Sequence, residues 1–218
     1  MAKVTVRYIC QSCGAESLRW MGKCSNCGEW NSLVEETTTP KGKHQKAWVK
    51  RSTPLPLTEI STADQPRFST GIAELNRVLG GGLVPGSLGL IGGDPGIGKS
   101  TLLLQVASKV AQESGQVLYA TGEESLTQLK LRAERLGILS DQLIAVSESS
   151  TEEICSLITE RRPKLVIIDS IQTMFVDEVQ SPPGSVGQVR ESTGRFLQVA
   201  KGTDTAVLLV GHVTKGGS

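Results

Sequence analysis

Two hydrophobic rhythms alternate along the chain from residue 87 onward. Short unbroken apolar runs at Ser87–Ile91, Val117–Thr121, Leu143–Val146, Leu165–Ile168 and Thr205–Val210 have the length of buried strands. Between them, apolar residues recur every three or four positions. Leu102, Leu103, Val106, Ala107, Val110 and Ala111 follow the first run, and Leu126, Leu129, Ala133 and Leu136 follow the second. Ile154, Leu157 and Ile158 follow Thr151, and a last helix is predicted over about 186–201. Strand and helix in alternation predict a mostly parallel sheet covered by helices on both faces, an α/β domain. A shorter amphipathic segment precedes it, with Ile72, Leu75, Val78 and Leu79 on one face and Gly80 as a stop.

The first 56 residues lack either rhythm. Residues 1–34 instead carry Cys10-x-x-Cys13 and Cys24-x-x-Cys27, ten residues apart, each pair followed by a glycine. A C-x-x-C turn points two thiolates at one ion, and two such knuckles give a closed tetrahedral site of the structural zinc type. Some thirty residues bury little core, so the metal supplies most of the folding energy of such a module. A full set of four thiolates leaves no open position for catalysis. Trp20 and Trp30 are expected to pack over the knuckles, with stacking on bases as the alternative. Residues 35–56 read as a linker with Lys41, Lys43, Lys46, Lys50, Arg51, Pro54 and Pro56, either a solvated tether or a nucleic-acid contact. The globular domain is expected over 57–218. Cys155, alone on its helix, is expected to be a small core residue.

The strand at 87–91 runs into Gly93-Asp94-Pro95-Gly96-Ile97-Gly98-Lys99-Ser100, followed by Thr101, which matches the phosphate-binding loop G-x-x-x-x-G-K-[ST]. Strand, glycine loop and helix is the context this motif requires. Glycines let the backbone curl its N–H groups around a phosphate chain, and the helix opening at Lys99 adds the positive end of its dipole. Lys99 would reach the β- and γ-phosphates, and the Ser100 hydroxyl would ligate Mg²⁺. The chain is therefore expected to bind a nucleoside triphosphate.

Ligands of such sheets sit at the carboxyl ends of the strands, where three polar groups stand out. Asp169 follows four aliphatic residues and is placed to hold Mg²⁺ beside Ser100. Glu123 and Glu124 end the neighbouring strand, where a carboxylate orients or deprotonates the attacking water; Glu123 is the favoured one of the pair. His212 and Lys215 follow the last strand, where a polar group can sense the γ-phosphate.

Composition changes the picture little. No run approaches 18 consecutive apolar residues and the N-terminus is too polar for a signal peptide, so a cytoplasmic protein without a membrane partner is expected. The net charge of +1 hides an asymmetry: residues 1–56 hold nine Lys/Arg against four Asp/Glu, the remainder fourteen against eighteen. A polyanion contact in the N-terminal part is consistent with that bias.

Together these strings resemble the RecA-like ATPases, and most closely the bacterial RadA (Sms) family of DNA-repair ATPases. The resemblance rests on the Cys₄ knuckles, Arg67–Gly71, Leu79–Gly82, Gly93–Thr101, Thr121–Ser125, Leu165–Ser170, Pro182–Val186 and Gly211–Lys215. It implies a RecA-like core behind a zinc-ribbon-like module, and a hexameric, DNA-stimulated ATPase of homologous recombination. Such an enzyme binds single-stranded and branched DNA and promotes branch migration, with a RecA-type recombinase as a candidate partner. It further implies that Lys215 acts across a subunit boundary, and that 176–186 forms a DNA-binding loop, although that loop carries Asp177 and Glu178 and no Lys or Arg. The family continues to a Lys-Asn-Arg-Phe-Gly motif and a Lon-protease-like domain absent from these 218 residues, so a truncated chain is expected. The alternatives are a KaiC-type regulatory ATPase acting on protein partners and a small-molecule kinase.

Overall fold

The computed structural model describes residues 5–38, 55–59 and 66–212. Its N-terminal unit is a three-stranded antiparallel sheet of β1 (Thr5–Cys10), β2 (Glu16–Ser17) and β3 (Leu33–Thr38), in the order β2-β1-β3. Thr5 pairs with Thr38, so the third strand runs past the boundary expected at residue 34. The interior of this unit is small: Cys10, Cys24 and Leu33, with Tyr8, Cys13 and Ala15 against them. Nothing there offers the tryptophans a surface to cover, and Trp20 and Trp30 are 58% and 68% exposed. The expectation that they pack over the knuckles is corrected.

Beyond the linker, α1 (Ala73–Val78) leads to β4 (Leu88–Gly93), α2 (Lys99–Glu113), β5 (Val117–Thr121) and α3 (Leu126–Arg135). Then come β6 (Leu143–Ser147), α4 (Thr151–Arg161), β7 (Leu165–Asp169), α5 (Val186–Thr203) and β8 (Ala206–His212). All five strands are parallel, in the order β4-β8-β7-β5-β6. The chain moves one way across the sheet through α2 and α3, then back through α4 and α5. Right-handed crossovers place those two helix pairs on opposite faces.

The strand residues divide accordingly. Val117, Tyr119, Leu165, Ile167, Leu208 and Val210 pack with α2 and α3, whereas Leu118, Ala120, Val166, Ile168, Val207 and Leu209 pack with α4 and α5. Fully buried alternating positions on both faces produce the continuous apolar runs seen in the sequence.

Two expectations change. In α1, Ile72, Leu75 and Leu79 pack on the core, but Val78 is 78% exposed, because a six-residue helix turns it away from that face. The run at 87–91 forms an edge strand with Leu90 62% exposed, not a buried one. Cys155 leans on the second cluster as expected, its thiol pushed up to about 12 by burial and by Glu152.

Candidate functional site

The phosphate loop joins β4 to α2 with Gly96 and Gly98 in the left-handed region, at φ 81° and 98°. No atom approaches within 4 Å of where a Cβ would stand on either, so it is conformation rather than crowding that asks for glycine. Lys99, 7% exposed, opens α2 and turns its ammonium back onto the loop, donating to the carbonyls of Gly93 and Asp94 at 2.8 Å each. Asp94, Pro95 and Ile97 lie exposed on the loop, and Ser100 and Thr101 form the first turn of α2.

The order β4-β8-β7-β5 sets four strand ends side by side: the loop, His212, Asp169 and Thr121, with Glu123 just beyond. His212 bridges the site. Its Nδ1 lies 3.3 Å from Lys99 Nζ and its Nε2 lies 3.1 Å from Glu123 Oε1. A lysine ammonium only donates, so Nδ1 accepts and the Nε2–H donates to the carboxylate. The Ser170 hydroxyl donates to the same carboxylate oxygen. Burial works against the Glu123 charge, but the donors Ser170 and His212 outweigh it, with Lys99 adding its field; the carboxyl is held below the usual glutamate range.

Gly122 makes this placement possible. A Cβ there would stand 2.2 Å from Thr173 Oγ1 and 2.9 Å from Ser149 Oγ, so only glycine lets the turn carrying Glu123 pass beneath the segment after β7. Glu124 goes elsewhere. It forms an ion pair with Arg132 of α3, outside the Lys99–His212–Glu123 network.

Asp169 is 5% exposed, and one of its oxygens is engaged: Tyr119 donates to Oδ2 at 2.6 Å. Burial and the Asp169 charge raise the Tyr119 pKa far above its ordinary value, which keeps the phenol a donor. The contact leaves Oδ1 of Asp169 for a cation. Tyr119, Ser170 and Gly122 were not singled out from sequence; Tyr119 and Ser170 read there as a strand residue and a strand end. Only their contacts across neighbouring strands show their use.

The loop 176–186 is organised by Gln188, a residue sequence reasoning missed. Its buried amide accepts from the Val176 N–H at 2.8 Å and donates to the carbonyls of Val179 and Ser181 at 2.9 Å. Ser185 caps α5 and accepts from Gln188 N, a Ser-x-x-Gln spacing that was the available signal. Arg195 ties the loop down through Glu178 at 2.6 Å and also pairs with Glu152.

The four cysteines meet as expected. Their sulfurs lie within 4.8 Å of one another, with Cys10 to Cys27 at 3.6 Å and Cys13 to Cys24 at 3.7 Å. A tetrahedron with metal–sulfur bonds of about 2.3 Å has edges of about 3.8 Å, so the cage fits a metal of zinc size. Gly14 and Gly28 close the knuckles by donating to the carbonyls of Cys10 and Cys24 at 2.8 and 2.9 Å. Burial opposes ionisation of Cys10, but the Ser32 hydroxyl and the N–H groups of Cys13 and Ser12 bring its pKa down to about 6, favouring a thiolate ligand.

Lys215 and the basic run from Lys41 to Arg51 lie outside the described residues. No helix among the described residues is long and apolar enough to cross a membrane.

Residues 52–218 match the family described as an AAA domain, and residues 8–35 match the rubredoxin metal binding domain. The chain is similar to the DNA repair protein RadA of several bacteria. Identity is 53% with that of Halalkalibacterium halodurans, 51% with that of Bacillus subtilis and 48% with that of Escherichia coli. Each match covers 100% of this chain and 49% of the relative, so the chain spans about half the length of the curated relatives it matches.

Proposed function

Since this chain belongs to the AAA-domain family and is similar along its whole length to bacterial RadA proteins, we propose that it is a DNA-stimulated, Mg²⁺-dependent ATPase of DNA repair and homologous recombination. The observation that carries this reading is the bridge Lys99–His212–Glu123, which joins a phosphate-loop cation to a carboxylate through one imidazole. The loop N–H groups and Lys99 hold the phosphates and offset their charge. Glu123 orients the attacking water. Its lowered pKa makes it a weak proton acceptor, so positioning is its main contribution and the proton leaves late in the reaction. Ser100 and Asp169 would hold Mg²⁺, which when bound neutralises charge on the phosphate oxygens.

The Cys₄ cage takes zinc as a structural ion in this proposal, in a module at residues 1–34 whose third strand continues to Thr38. Residues 35–56 link it to the ATPase domain at 57–218. Single-stranded and branched DNA are the substrates, the 176–186 loop is one contact, and branch migration by a cytoplasmic homo-hexamer working with a RecA-type recombinase is the outcome. Lys215 acts at a neighbour's γ-phosphate. The relatives being DNA repair proteins supports the repair role and does not favour the KaiC-type reading. For a kinase, nothing at Glu123 suggests an acceptor other than water.

The test is ATP turnover with and without single-stranded DNA, across a salt series, in the wild type and in Lys99→Ala. Stimulation that falls steeply with salt, and loss of nucleotide binding or turnover in the variant, are expected. Full activity in Lys99→Ala would sink the assignment.

A further inference from the structure

The metal module carries an exposed aromatic surface that the ATPase site does not use. Trp20 and Trp30 are 58% and 68% exposed, and Leu18 and Met21 beside Trp20 are 76% and 36% exposed. A small module ordinarily covers such residues, because apolar surface left in water forgoes the stabilisation of burial unless a partner takes it up.

The two indoles are close to each other. A Cβ placed on Gly22 would stand 3.8 Å from Cη2 of Trp20 and 3.9 Å from Cζ3 of Trp30, and it would meet nothing else within 4 Å. Both benzenoid edges therefore lie over the Gly22 backbone. That backbone is held by the hydrogen bond from Asn31 N to Gly22 O, at 2.8 Å, and by the bridge between Lys23 and Trp30. The metal knuckle at Cys24–Cys27 follows it directly.

Cations stand beside the indoles. Lys23 places its ammonium 5.5 Å from the centre of the Trp30 ring, and Arg19, exposed, neighbours Trp20 in the chain. Glu29 is the acid nearest in sequence to Trp30, and it is exposed too. Exposed indoles close to each other with Lys/Arg beside them match the chemistry of an unstacked base with its phosphate. A protein partner would be served equally by the apolar area but gives no reason for the two flanking cations.

We propose that Trp20, Gly22 and Trp30 form a stacking site for single-stranded nucleic acid on the metal module, with Arg19 and Lys23 holding the phosphates. This rests on nucleic acid being the substrate of the protein. It assigns the module a direct part in gripping the strand, apart from the nucleotide-driven core.

The test is fluorescence anisotropy of labelled oligothymidylate with the whole chain, without nucleotide, against an abasic oligomer of equal length. Trp20→Ala and Trp30→Ala should each weaken oligothymidylate binding about tenfold, the amount a lost base stack contributes, and leave abasic binding nearly unchanged. Trp30→Phe should recover part of the loss. Gly22→Val, which crowds both rings without removing either, should weaken binding as well. Bound metal is measured in every variant, so loss of the module is told apart from loss of the site. If metal-loaded double variants bind oligothymidylate as the wild type does, the stacking site is overturned and the surface belongs to a protein partner. If the wild type binds no oligonucleotide at all, both this inference and the DNA reading fall together.

Discussion

The metal module and the ATPase domain lie in one chain and are held by opposite means. The module buries two cysteines and one leucine, with three partly buried neighbours, and its order comes from four sulfurs around one point. The ATPase domain has two aliphatic layers on a five-stranded parallel sheet and among the described residues holds no such cluster. Among the described residues, Gly14 approaches Val186 and Arg190 pairs with Glu16 across the two parts. The lesson concerns where function sits. The domain with a core brings polar groups together at neighbouring strand ends, whereas the module presents a surface.

Removing the metal is the sharpest way to break this comparison. Chelation, or Cys13→Ser, should unfold the module through 38, since binding of a structural ion contributes about 10 kcal/mol or more to such folds. The melting transition of the ATPase domain should stay in place, as calorimetry with and without chelator can show. The converse is Phe196→Ala, which empties a fully buried position between α5 and the sheet. It should cost the ATPase domain about 3–5 kcal/mol in chemical denaturation while the metal stoichiometry is unchanged.

These two contrasts also show what was legible in the sequence. Periodicity placed the strands and helices of the sheet, because the three inner strands are buried on both faces and their runs are continuous. The cysteine spacing placed the cage, because two C-x-x-C turns can do little else. What escaped is what depends on contact across elements. Val78 lies on an apparent apolar stripe, but α1 is too short for the stripe to be one face. Trp20 and Trp30 are expected over the knuckles from sequence, but they stand 58% and 68% exposed on a module with little interior. Glu123 and Glu124 are equivalent as letters, and only Ser170, His212 and Arg132 tell them apart. Gln188 organises a whole loop from a position that sequence shows only as part of a cap.

Smaller effects sharpen the site. Tyr119→Phe removes the hydroxyl that engages Asp169 Oδ2 and should cost about 1–2 kcal/mol of stability, read in denaturant. The same variant should weaken Mg²⁺-dependent nucleotide binding more than metal-free binding. Ser170→Ala should have the mildest consequence. The Ser170 hydroxyl stabilises the ionised form of Glu123, whose pKa is lowered in the fold. Its loss raises that pKa, so the acid limb of the pH–rate profile should move upward while the plateau is nearly unchanged. An acid limb that stays put, or moves downward, would contradict the assignment of that limb to Glu123.

The most direct measurement is ATP turnover by Glu123→Gln alongside its nucleotide affinity. The amide keeps the size and one acceptor of the side chain but not its charge. Binding should remain near wild type, because Lys99 and the loop are untouched, and turnover should fall by at least about a hundredfold. Turnover at the wild-type rate in a variant that still binds ATP would contradict the account.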